Sequence, residues 1–144
     1  MIKELESCEI DSIMDIWLKT NTSSHCFIPE EYWTRNYSVV KEEYLPASAT
    51  FVYKEDDVIK AFISVIDDCF IGALFVLEKY QRKGIGQELL DHCKSLYLNL
   101  ELAVYTENKA AIDFYMKNGF RVKKKQKNND SGFMEYVMSW KKER

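Results

Sequence analysis

No stretch of this 144-residue chain approaches the ~18 consecutive apolar residues that a membrane-spanning helix needs. The N-terminus, Met1-Ile-Lys-Glu-Leu, carries acid early and lacks an apolar core segment, so no signal peptide is expected. Positive charge is not in excess. Twenty Lys and Arg stand against 23 Asp and Glu, and the net charge of −3 gives no electrostatic case for a nucleic-acid partner. The one basic run, Lys123 to Lys127, sits beside a polar loop and suits a solvated strand edge. Cys8, Cys26, Cys69 and Cys93 share no metal-ligand spacing, so no metal is expected. They suit small reduced hydrophobes in a cytoplasmic protein. There is no internal repeat, linker or low-complexity tract, and one domain over residues 1–144 is expected.

What is present is apolar volume: 47% of residues are hydrophobic and 14% aromatic, enough to fill a core. Ile2 to Leu5 suits a short first strand. Ile10, Ile13, Met14, Trp17 and Leu18 recur at one-face helical spacing, with Ser7 as the expected N-cap. Asn21 to Cys26 breaks that pattern and predicts a loop. Pro29-Glu30-Glu31 is a helix-start signature, and the helix it opens should stop before Pro46. Thr50 to Tyr53, a turn at Glu55-Asp56-Asp57, and Val58 to Ile66 predict a hairpin. Phe70 to Leu77 is a nearly continuous apolar run of buried-strand length. Ile85, Leu89, Leu90, Cys93 and Tyr97 keep helical spacing, Leu100 to Tyr105 is β-rich, and Asn108 to Lys117 predicts a helix stopped at Asn118-Gly119. Val122 onward and Phe133 to Trp140 predict a last strand pair. The order is β-α-α-β-β-β-α-β-α-β-β. It predicts an α/β (α+β) fold: a single mixed, mostly antiparallel sheet of about seven strands flanked by about four helices, with a strand–helix–strand crossover in its second half.

Gln81-Arg82-Lys83-Gly84-Ile85-Gly86 joins the buried strand to the next helix. The first amides of a helix lack intrahelical acceptors, and with the dipole they form an anion site. Glycines at 84 and 86 let a phosphate approach the backbone, and Arg82 and Lys83 add positive charge. The position suits a pyrophosphate, although a Gly-x-Gly at a helix start also serves simply to close a tight turn. A P-loop needs Lys-Ser/Thr after its second glycine, and Gln87-Glu88 follows here. A dinucleotide fingerprint needs a third glycine, and position 89 is Leu.

Val76-x-x-x-x-Gln81-x-x-Gly84-x-Gly86 followed by Leu89-Leu90 resembles motif A of the GNAT family of N-acetyltransferases. Asn108-x-x-Ala111-x-x-Phe114-Tyr115-x-x-x-Gly119-Phe120 resembles its motif B, and the order of the remaining elements matches too. The resemblance implies a GNAT-like acyl-CoA N-acyltransferase fold. In it the fourth and fifth strands splay apart, and the pantetheine of acetyl-CoA lies between them. It implies backbone contacts to the cofactor from Leu74, Phe75 and Val76. It implies pyrophosphate contacts from Arg82, Lys83, Gly84, Ile85, Gly86 and Gln87 after Gln81, with Asn108 contacting the cofactor near the cleft and Tyr115 close to its sulfur. The chain departs from the pattern at Lys79, where many members have proline. It also departs in having no acid within 70–77, where several place a base acting through water.

Acetyl transfer to an amine needs a neutral nucleophile, a stabilised oxyanion and a protonated leaving thiol. The Val76 N–H is the candidate for polarising the thioester carbonyl. Tyr115 is the candidate proton donor: a thiol pKa of roughly 8.5 against roughly 10 for Tyr makes the transfer depend on positioning and desolvation. The alternative for Tyr115 is packing, and for Asn108 it is an N-cap, a role compatible with touching cofactor. His25 is either a base or a packing residue, and Asp68 is the second candidate base. Trp17, Phe27, Tyr32 and Trp33 cluster near His25 in sequence, and Phe27 and Trp33 are candidates for an acceptor pocket. The expected activity is transfer from acetyl-CoA to a primary amine of a small molecule or protein, in a monomer or homodimer. A non-catalytic acetyl-CoA-binding module of the same fold is the alternative.

Overall fold

The structure, a computed structural model, describes residues 1–143. Strand β1 (Ile2–Glu4) leads through a 3-10 turn into helices α1 (Ile10–Ser24) and α2 (Glu30–Val39). Strands β2 (Ser48–Glu55), β3 (Val58–Ile66) and β4 (Phe70–Val76) follow. Then come α3 (Ile85–Leu96), β5 (Asn99–Tyr105), α4 (Lys109–Lys117), β6 (Arg121–Lys127) and β7 (Met134–Lys141). The strands form one seven-stranded sheet in the order β1-β2-β3-β4-β5-β7-β6. This is the expected element order and a mostly antiparallel sheet.

Both faces of the sheet are covered, which is why β3 and β4 read as apolar runs rather than alternating ones. Ala61, Ile63 and Val65 of β3 face α3 and α4, whereas Val52 and Phe62 meet α1 and α2. On α3 the helical stripe buries Ile85, Leu89, Leu90 and Cys93. Full burial of a leucine contributes about 1.5–3 kcal/mol, so the Leu89–Leu90 pair anchors the helix that follows the glycine turn.

Three local expectations are corrected. The first turn before α1 is held by the Glu6 N–H donating to the Glu9 carboxylate at 3.0 Å, not by Ser7. The Asn21–Ser24 stretch is helical, not a loop: Asn21 Nδ2 donates to the Trp17 carbonyl and Thr22 Oγ1 to that of Leu18, so both polar side chains bond back along the helix. Among the cysteines only Cys93 is buried, and Cys8, Cys26 and Cys69 are exposed. Helix α2 does stop before Pro46, winding out through a wide turn in which Leu45 N–H reaches the Val40 carbonyl.

Beta strands β4 and β5 are the parallel neighbours in the sheet, and they pair only at Phe70 and Glu101. A bulge between β3 and β4 explains the opening. Ser64 pairs with Ala73 and Val65 with Ile71, so Gly72 is the extra residue and bends β4 away. Strand β5 meanwhile stays paired along its length with β7. The result is a wedge-shaped gap in the middle of the sheet.

Candidate active site

The gap opens a cleft of about 1090 Å³ running from the Gln81–Gln87 turn, past Val76, to His25, Asn108 and the β6–β7 hairpin. Its β4 wall is unpaired backbone. Leu77 N–H donates to the Lys60 carbonyl at 3.0 Å. Alternation along the antiparallel ladder then turns Phe75 toward β3 and leaves the backbone groups of Leu74 and Val76 facing the gap. Of the three strand residues expected to offer backbone groups, Phe75 is therefore the one turned the wrong way. The Val76 carbonyl takes a bond from Gln81 Nε2 at 2.9 Å, which pins the turn to the end of the strand.

At the turn, Arg82 (φ 65°) and Gly84 (φ 84°) adopt left-handed backbone, and Gly84 is the residue at which α3 starts. The first helical bond is Glu88 N–H to the Gly84 carbonyl, at 3.0 Å. Among the described residues, no backbone amide from Arg82 to Gln87 donates to a protein group. They form an outward-facing nest at the positive end of α3. Arg82 and Lys83 are exposed above it, and Gln87 uses its side chain on Asp91 and Asn118, so only its amide faces the cleft end.

Across the gap, Asn108 starts α4 and accepts from the Ala111 N–H at 3.3 Å. That assigns its oxygen, so its Nδ2 donates to His25 Nε2 at 3.1 Å. Asn21 is fixed the same way: its Nδ2 donates to the Trp17 carbonyl, and its Oδ1 therefore accepts from His25 Nδ1 at 3.1 Å. His25 is thus a neutral ring protonated on Nδ1 with both nitrogens engaged. Burial among Phe27, Trp33 and Tyr105 lowers its pKa from 6.5 to about 4. The sequence brought His25 forward as a base, but these bonds leave it no free lone pair toward an amine. Asp68 lies outside the cleft. It is exposed in the β3–β4 turn, where Asp67 and Asp68 both hold positive φ (54° and 59°), a backbone role.

Tyr115 lines the cleft from α4, with only 9% of its surface exposed, between Phe114 and Phe120. Burial raises its pKa above the ordinary Tyr value, so the hydroxyl is protonated at neutral pH. Trp33 also lines the cleft, and its buried indole N–H has no hydrogen-bond partner. The far wall is clasped: Tyr32 donates to Asp130 at 2.6 Å and Tyr105 to Ser131 at 3.0 Å, which ties α2 and β5 to the β6–β7 hairpin. Sequence reasoning missed Glu135, a buried cleft-lining acid on β7. The available signal was a charged residue two positions before Val137 on a strand with alternating burial, which shares that residue's inward face.

No helix among the described residues is long and apolar enough to cross a membrane, and they hold no cluster of three metal-ligating side chains.

Residues 10–120 match the acetyltransferase (GNAT) family. Among curated proteins the chain is 32% identical to peptidyl-lysine N-acetyltransferase YiaC of Escherichia coli K12, over 97% of this chain and 96% of that one. It is 26% identical to peptidyl-lysine N-acetyltransferase YjaB of the same organism, over 86% and 84%. Among solved structures, the PaiA N-acetyltransferase of Thermoplasma acidophilum in complex with coenzyme A superposes with a TM-score of 0.82 at 21% identity, covering 99% of this chain and 98% of that one. Apo YjaB from Escherichia coli gives 0.83 at 23% identity, covering 96% and 95%.

Proposed function

The chain belongs to the GNAT family of acetyltransferases, an acetyl-CoA-dependent N-acetyltransferase, and from that premise we propose that its acceptor is the side-chain amine of a lysine in a protein. The observation that carries the siting of the reaction is the splayed β4–β5 gap, which ends in the unpaired Arg82–Gln87 amides. An adenosine pyrophosphate suits that nest, and a pantetheine amide suits the free backbone of Leu74, the Val76 carbonyl being taken by Gln81. The lysine acceptor is supported by two relatives whose names specify peptidyl-lysine, and by an acceptor wall built from α1, α2 and the β6–β7 hairpin.

The reaction needs no protein nucleophile. A neutral amine attacks the thioester carbon, the carbonyl electrons move to oxygen, and the Val76 N–H stabilises the developing oxyanion. As the tetrahedral species collapses, the C–S bond breaks, and Tyr115 gives its proton to the departing thiolate. Burial raises the Tyr115 pKa, so the hydroxyl reaches the departing thiolate still protonated. The amine loses its proton to water in the cleft. Tyr115 recovers a proton from the same solvent. His25 stays neutral in this scheme and holds Asn108 at the mouth of α4.

The test is release of CoA thiol from acetyl-CoA with a lysine-containing peptide, followed by mass spectrometry of the peptide. The expected result is thiol release that tracks acetylation of the lysine side chain. Acetyl-CoA binding without turnover on peptides or a panel of small amines would instead make the chain a non-catalytic binding module.

A further inference from the structure

Glu135 is a buried acid that the reaction scheme does not use. Its side chain belongs to a residue only 7% exposed and lies on the cleft wall. Oε2 accepts from Gln126 Nε2 at 2.6 Å and Oε1 from Asn128 Nδ2 at 3.0 Å. Asn128 cannot turn to offer its oxygen instead, because its Oδ1 already accepts from the Asp130 and Ser131 amides at 2.9 and 3.0 Å. An ionised carboxylate accepts hydrogen bonds and donates none, and the fixed Asn128 N–H donor suits that form, with Gln126 free to offer its own N–H beside it.

No cation completes the set. Among the described residues, no Lys, Arg or His stands in ion-pair contact with Glu135. Lys124 shares its face, but it pairs with Val137 rather than with Glu135, and it is exposed. The other buried acid of the chain, Glu9, shows the contrast: Lys54 meets it at 2.9 Å and Lys3 at 3.5 Å. A charge taken from water without a counter-charge is costly, and neutral amides offset only part of that cost.

The place of Glu135 supplies the missing partner. It sits directly across from Tyr105 in the β5–β7 register. The Tyr105 ring packs 5.1 Å from that of His25, which holds Asn108, and the Tyr105 carbonyl accepts from the Asn108 N–H at 3.0 Å. This is the wall opposite the anion-binding turn. The cleft therefore has free amides and cations at one end and, at the other, a buried carboxylate with no ion-pair partner among the described residues, the exposed Lys124 being the one cation on that part of the lining.

We propose that Glu135 is the acceptor-recognition residue, binding the substrate amine in its arriving form, an alkylammonium. The inference rests on the amine-transfer reading and adds a specificity to it. A lysine side chain, with an ordinary pKa near about 10.4, reaches the cleft charged. Glu135 selects that charge and rejects acidic or neutral acceptors, and the proton leaves to water before attack.

The test titrates butylammonium, with butanol as the neutral control, into the full chain saturated with CoA. The side-chain amide NMR signals of Asn128 and Gln126 report on Glu135. Butylammonium should shift them saturably and butanol should not. In Glu135→Gln the affinity for butylammonium should fall at least about tenfold, the loss of one buried charge-assisted contact, while CoA affinity stays unchanged. Lys124→Ala should bind at least as well as the unmodified chain. Equal shifts by butylammonium and butanol in the unmodified chain would overturn the proposal, whether or not the Gln variant folds. So would equal butylammonium affinity in a folded Glu135→Gln. Saturable ammonium binding in a chain that acetylates no amine would sink the transfer reading and leave the Glu135 site standing.

Discussion

Tyr115 is held between Phe114 and Phe120 on the wall of the cleft, so replacing its hydroxyl tests chemistry with little change in packing. Tyr115→Phe should lower kcat by about 10²-fold, the lower range for a positioned acid, and leave acetyl-CoA affinity nearly unchanged. The loss should shrink with an acyl donor whose thiol has a lower pKa, because a better leaving group needs less help. Equal kcat in mutant and wild type, at saturating acceptor, would reduce Tyr115 to packing. His25 makes a different prediction. Its pKa is 6.5 ordinarily and about 4 in the fold, so between these values the unfolded chain binds more protons. Stability is therefore full above pH 6.5 and falls as pH drops toward 4, by up to about 3 kcal/mol. His25→Gln removes that titration, and its melting temperature should fall less steeply than the wild type's over the same window. Parallel slopes would mean that the buried ring does not resist protonation. These residue roles were unevenly legible. Tyr115 and Asn108 carry a spaced motif, whereas one of the two hydrogen bonds that quench His25, the one to Asn108, joins residues 83 positions apart and leaves no local trace; the other, to Asn21, spans only four.

The element that matters most is the turn into α3. Gly86 is a clean place to perturb it. A Cβ there would meet Val76 Cγ2 at 3.6 Å and Phe114 Cζ at 3.7 Å, ordinary contacts, and its φ is helical. Gly84, with φ +84°, would add backbone strain to any substitution and confuse the result. Gly86→Asp should keep the circular dichroism spectrum and lose acetyl-CoA binding by calorimetry, because it sets a negative charge against the amide nest. Full-strength binding would move the pyrophosphate elsewhere. Elements of this kind were visible in sequence because their signals are local: glycine spacing, the stripe of Ile85, Leu89, Leu90 and Cys93, and the stop at Asn118-Gly119. The end of α1 was not, because the apolar stripe stops at Leu18 and Asn21 to Ser24 are polar residues of only modest helix propensity. Here the bonds of Asn21 and Thr22 to Trp17 and Leu18 carry the helix on to Ser24.

At the scale of the molecule, function rests on a defect in the sheet. Paired fully, β4 and β5 would close the gap. The Gly72 bulge and the β5–β7 pairing hold it open from Phe70 onward, and helices pack on both faces of the sheet around it. Strand order and the splay depend on pairing between distant segments. The sequence implied them through a family resemblance rather than through periodicity, and Glu135 escaped notice because its neighbours across the sheet lie outside both motifs. The most direct test of the account is an amide-resolved NMR titration of the full chain with acetyl-CoA. The largest shifts should fall on the Arg82–Gln87 amides and on Leu74 and Val76, with smaller ones at Asn108, and with Phe75, turned toward β3, moving less than either strand neighbour. Shifts centred away from the β4–β5 gap, with the 82–87 amides unmoved, would contradict it.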